Sequence, residues 1–138
     1  MGRSYSMNAD YSDEQYVTQM RDMRFVSRQV TRLHSIAAFH VGRAALYSSQ
    51  GSNTLENHHR RIGCGYFKDL VFYSCELPSV NKETNTDDLL VKIDNMMPAK
   101  TPSHEIQRMF KEYSKVLAKV GLLQAYDMRD TALKRFRR

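Results

Sequence analysis

At 138 residues the chain has room for one ordinary domain and not for two independent cores. Its 41% hydrophobic against 26% charged residues, with few prolines and glycines, exclude a disordered or collagen-like chain, so most of it should fold. The formal charge of +6 points to an acidic partner such as RNA, an anionic membrane surface or an acidic protein, and says nothing about fold.

The first predicted element is a long helix over about 12–50. "SDEQ" opens it: Ser12 can cap, Gln15 can close a capping box, and Asp13 and Glu14 suit the positive helix start. Met23, Val26, Val30, Leu33, Ala37, His40, Ala44 and Tyr47 then recur at alternating steps of three and four, the packing seam of a long helix lying along another. Gly51 and Ser52 end it. Every cation before Lys68 is an arginine, and from Met23 to Gln50 there is no acid at all. An amphipathic, arginine-rich, acid-poor stretch has the look of a mitochondrial import segment. A packed helix whose arginines solvate its outer face accounts for the same pattern.

A second helical segment is predicted over about 54–77, with Asn53 and Glu56 repeating the cap pattern and Phe67, Leu70, Val71, Ser74 and Cys75 as its buried stripe. Gly63 and Gly65 each cost about 1 kcal/mol relative to alanine in a helix, so the helix proper is expected only from near Tyr66. A short strand at "LVFYSCEL" is the alternative. His58, His59, Arg60 and Arg61 read as a surface patch. Cys64 and Cys75 on one helix would be about 16 Å apart, beyond disulfide reach, and are expected as reduced, small buried thiols. With His58 and His59 they have no recognised zinc spacing, so no metal is expected.

"PSVNKETNT" reads as a loop by its turn residues. Thr86 is expected to cap a short helix over about 86–97, with Asp87 and Asp88 in its first turn and Leu89, Leu90, Ile93, Met96 and Met97 inside. Pro98 stops it. Ser103, or Thr101 with Pro102 at the first helical position, starts C-terminal helices over about 103–138, whose apolar face is Ile106, Met109, Phe110, Tyr113, Leu117 and Val120. The sequence thus predicts an all-α fold: one domain over 1–138, an extended helical bundle with a long N-terminal and a long C-terminal helix joined by shorter ones.

No phosphate-binding glycine loop, Gly-x-Ser-x-Gly elbow, His-Glu-x-x-His pair or Cys-x-x-Cys pair occurs, so no enzyme activity and no catalytic residue is expected. No apolar run approaches the roughly 18 residues a membrane span needs.

The chain's last stretch, "EYSKVLAKVGLLQAYDMRDTALKRFRR", resembles part of the LYR-motif family of small mitochondrial helical proteins over residues 112–138. Tyr113 takes the place of the motif tyrosine and Leu117 that of a following leucine, while Ala125, Tyr126, Arg129, Ala132, Leu133, Arg135 and Arg137 fall at matching steps. The leucine and arginine of the triplet are absent, since it reads Glu112-Tyr113-Ser114. The resemblance implies a non-catalytic accessory subunit or assembly factor of a large mitochondrial assembly, with a respiratory-chain complex foremost, in the matrix or on the matrix side of the inner membrane. It also implies contact with acyl carrier protein: Arg129, Lys134, Arg135, Arg137 and Arg138 would meet its acidic surface. Tyr113, Leu117 and Val120 would wall its acyl-pantetheine group, the partner's cofactor and not one of this chain's own. Charge complementarity of that kind sets on-rate and specificity. The alternative from the charge alone is a basic RNA-contacting subunit of a mitochondrial ribosome or other ribonucleoprotein, using Arg24, Arg28, Arg32, Arg60, Arg61 and the basic end. A coiled-coil scaffold outside mitochondria is a further reading of the three-four seam.

Overall fold

The computed structural model describes residues 13–98 and 101–123, with side chains from residue 25 on. Among them are five helices and no strand: α1 (Asp13–Ser49), α2 (Asn53–Ser74), α3 (Pro78–Glu83), α4 (Thr86–Met96) and α5 (Ser103–Lys119). The all-α expectation holds.

Helix α1 ends where the sequence predicts. Gly51 takes φ +73°, a left-handed turn that glycine adopts without Cβ strain, and the chain reverses into α2. Of the predicted seam, Val30, Leu33, Ala37 and Ala44 are buried, and Val26, His40 and Tyr47 are half-buried. The Met23 side chain and the Ser12 cap lie outside the described residues. His34 and Val41 are buried as well, because α1 packs against two helices and needs a wider stripe than one seam.

Helix α2 corrects the expectation of a late start. It runs unbroken through Gly63 and Gly65 from Asn53, with Ser52 and not Asn53 at the cap position. At Gly63 an added Cβ would come within 2.9 Å of Val41 Cγ2 and 3.0 Å of the Val41 backbone nitrogen. The glycine therefore marks the closest approach of α1 and α2, and packing gained there offsets its poor helix propensity. The stretch "LVFYSCEL" is helical up to Ser74, not a strand.

The expected loop at "PSVNKETNT" is also corrected, since its first part is the short helix α3, started by Pro78 and pinned by the fully buried Val80. Asn85, not Thr86, caps α4: its side chain accepts the Asp88 backbone N–H at 3.0 Å. Thr86 instead donates to Asn81 Oδ1 at 2.6 Å, tying the start of α4 to α3. In α5, Pro102 holds the cap position and Ser103 is the first helical residue, fully buried. Gly121, at φ +82°, breaks the predicted run after Lys119, with Leu122 N–H donating to Leu117 C=O at 2.9 Å across the turn.

Cross-helix contacts fix the topology. Val41 meets Gly63, and Tyr47 and His40 meet His59, so α1 and α2 are antiparallel. Arg60 reaches Ser103, Phe67 meets Phe110 and Ser74 meets Tyr113, so α5 runs parallel to α2 and antiparallel to α1. Lys68 pairs with Asp94 at 2.8 Å, while Asn81 links Thr86 at the start of α4 to the Cys75 carbonyl at the end of α2, so α4 lies antiparallel along α2. The result is an up-down-up-down arrangement of α1, α2, α4 and α5, with α3 at one corner. Its core gathers Val30, Leu33, Phe67, Leu70, Val80, Ile93, Ile106, Phe110 and Leu117.

Candidate functional site

The two apolar members of the expected partner site are core residues in this fold. Tyr113 is 2% exposed and Leu117 is fully buried, both facing α1 and α2 across the bundle, while Val120 is half-buried. Both belong to the core cluster, and Tyr113 also lines the inner side of the cleft between α4 and α5. The expected basic members, Arg129, Lys134, Arg135, Arg137 and Arg138, lie outside the described residues.

Two hydrogen bonds tie the helices together in this part of the core, one between Tyr113 and Ser74 and one between His34 and Ser114. Ser74 Oγ spends its one proton on the Leu70 carbonyl at 2.7 Å, so the Tyr113 hydroxyl is the donor in the bond between Tyr113 and Ser74. Ser114 Oγ likewise donates to the Phe110 carbonyl at 2.8 Å, which leaves His34 Nε2–H as donor to Ser114 Oγ at 2.9 Å. Burial lowers the His34 pKa to about 4, so the imidazole is neutral at pH 7, stacked on Phe110 with ring centroids 4.9 Å apart. Burial pushes the Tyr113 hydroxyl up to about 12 and the Cys64 thiol up to about 11. A neutral imidazole on a serine has the makings of a hydrolase pair, but both groups sit in closely packed core.

At the other end of the bundle Arg60 is 2% exposed, which corrects its assignment to a surface patch. Its guanidinium donates to Glu56 Oε2 and Ser103 Oγ, each at 3.3 Å, and Ser103 donates to the same carboxylate oxygen at 2.7 Å. The pattern that suggested a cap at Glu56 thus serves an ion pair within α2 to which Ser103 ties the start of α5. His59 is also not a free surface imidazole. It lies in a stack of near-parallel rings running Tyr47, His59, His40 and Tyr66, and its Nδ1 is 2.9 Å from His40 Nδ1. Burial first, then the charges of His58 and Arg43, lower its pKa.

Cys64 is buried and Cys75 half-buried, both free thiols as expected. Among the described residues no group of three or more His, Cys, Asp or Glu side chains could hold a metal ion, and no helix is long and apolar enough to cross a membrane. Of the arginines expected to meet phosphate, Arg28, Arg32 and Arg61 face outward, with the half-exposed Phe25 ring beside the first of these on α1. A cleft of about 660 Å3 opens between α4 and α5, with Leu89, Met109 and Val116 among its lining. Sequence periodicity could not have found it, because its lining mixes apolar and charged side chains from two helices and the turn before α4. Compared with protein-family models, with curated proteins and with solved structures, the chain matches none.

Proposed function

We propose that this chain is a non-catalytic accessory subunit of a large mitochondrial assembly, a respiratory-chain complex foremost, working in the matrix or on the matrix side of the inner membrane. The observation that carries the reading is the long first helix. It has 37 residues against 22 in its antiparallel partner, so about 22 Å of it runs on past the end of α2. Phe25, 50% exposed, stands on that outer part and the exposed Arg28 and Arg32 follow it on the next two turns, a mixed aromatic and cationic face suited to an acidic protein neighbour.

The finer part of the proposal is that the basic C-terminal segment meets acyl carrier protein. It rests on the LYR-like spacing of residues 112–138 and on the charge of Arg129, Lys134, Arg135, Arg137 and Arg138. The test is titration of the full chain with acylated carrier protein at low salt. The proposal expects a saturable complex, weakened by at least about tenfold on reversing Arg129 and Arg135 to glutamate, a loss typical of paired interface charges. Absence of binding at low salt would remove the carrier contact and leave the docking helix. The RNA reading is weakened by the burial of Arg60, which takes one of its phosphate-facing cations into an internal ion pair.

A further inference from the structure

On the two sides of the Val41–Gly63 contact, α1 and α2 are held together by different means. Away from the Gly51 turn lie Val30, Leu33, Ala37 and Val41 with Cys64, Phe67 and Val71, all members of the core cluster. Toward the turn the described residues bury no apolar side chain larger than that of Ala44, and Leu46 and Leu55 are 37% and 44% exposed. Rings join the two helices there. At their centre is the pair His40 and His59, whose Nδ1 atoms are 2.9 Å apart while the ring centroids are 5.2 Å apart, so the two nitrogens face each other between the rings. Tyr47 flanks His59 at 5.5 Å between centroids, and Tyr66 flanks His40 at 6.4 Å.

A bond between two imidazole nitrogens needs a proton on one and a lone pair on the other. The pair can hold no added proton, or one, but not two: a second turns the acceptor into a donor and sets two like charges face to face. Burial first, and then the positive neighbours His58 on α2 and Arg43 on α1, weigh against charge on His59. Glu56, three residues before His59 on α2, is engaged by Arg60 and Ser103. Phe39 adds a further ring from α1. We propose that His40 and His59 form a proton-operated latch, which holds the end of α1 on α2 until uptake of a second proton releases it. Because Glu56 and Arg60 tie α2 to Ser103 of α5, the part that moves is α1 beyond Val41. The core stays packed, since Val41 is the last residue of α1 in the core cluster. Acid favours opening because the open form binds both protons near the ordinary pKa of about 6.5, while the closed form binds one at most.

The first test reads the bond itself. With both rings neutral, one of the two must carry its proton on Nδ1, which long-range 1H–15N spectra of the full chain at about pH 7.5 distinguish from a proton on Nε2. One Nδ1–H ring and one Nε2–H ring is the expected result, and two Nε2–H rings would overturn the proposal. The second test is hydrogen exchange read by mass spectrometry at about pH 7.5 and about pH 5, corrected for the intrinsic exchange rate at each pH. Protection of residues 42–50 should fall by roughly thirtyfold, the effect of one further proton bound at ordinary affinity, and by more than that of residues 64–71. Protonation of His34 weakens the whole fold over the same range, so the His40→Gln, His59→Gln double variant isolates the latch. In it the fall at 42–50 should shrink to that of 64–71. A variant already unprotected at 42–50 at about pH 7.5, with 64–71 still protected, supports the latch as well. An undiminished fall at 42–50 in the variant would contradict it.

Discussion

Gly63 sets how close α1 and α2 can come. Alanine there would gain about 1 kcal/mol of helix propensity, but its Cβ would press on the Val41 backbone nitrogen, which a rotamer change cannot relieve. Gly63→Ala is therefore expected to destabilise the fold by a net of about 1–2 kcal/mol, as overpacked sites do, read as a lower urea midpoint at unchanged slope. His34 makes a second prediction. Its folded pKa of about 4 lies below the ordinary value of 6.5, so below pH 6.5 the unfolded chain binds the extra proton first. Stability is then full above that pH and falls as pH drops from 6.5 towards 4, by up to about 3 kcal/mol. The lowered His59 pKa acts in the same direction, through its burial first and then the nearby charges of His58 and Arg43. Urea titrations across this window should show the slope, and His34→Gln should flatten most of it; a slope unchanged in the variant would assign the acid sensitivity elsewhere.

Helices α2 and α5 are joined by a buried charge, so their pairing depends on both partners. Glu56→Ala would leave the Arg60 guanidinium buried without its counter-ion, at about 3–5 kcal/mol; adding Arg60→Met should recover much of that loss, and a double-mutant cycle measures how much. Failure of the second substitution to recover stability would mean that the uncompensated Arg60 charge is not what Glu56→Ala costs. Nothing in the sequence marks this pair as internal. "NHHRR" looks solvated because five polar residues follow one another, and only the distant Ser103 shows which of them turns inward. The apolar stripes were legible: Val30, Leu33 and Ala37 in α1, Phe67, Leu70 and Val71 in α2, and Ile106, Phe110 and Leu117 in α5 all stand at helical spacing and all are buried. What periodicity misread were the glycines and turn residues. Gly63 reads as weakness until the neighbouring helix is in place, and Pro78 reads as loop until Val80 is seen to anchor a helical turn. Tyr113 and Leu117 entered the candidate partner site through the family resemblance, while their helical spacing already placed them on the apolar face that the core buries.

The molecule as a whole combines a closed core with two outward features of unlike charge, the arginine-bearing outer part of α1 and the acid-rimmed α4–α5 cleft. The core accounts for stability within the chain; the long first helix, running past its partner, is what an accessory subunit would present to a neighbour. Reversing Arg28 and Arg32 to glutamate should leave thermal stability within about 0.5 kcal/mol, as exposed substitutions generally do, while abolishing recovery in the parent assembly. The central claim is membership of a large mitochondrial assembly, and the most direct measurement is native purification of the tagged chain from its own cells, with mass spectrometry of what accompanies it. The account predicts stoichiometric respiratory-chain subunits, with acyl carrier protein among them. Recovery of ribosomal proteins and RNA in their place, or of the chain alone, would contradict it.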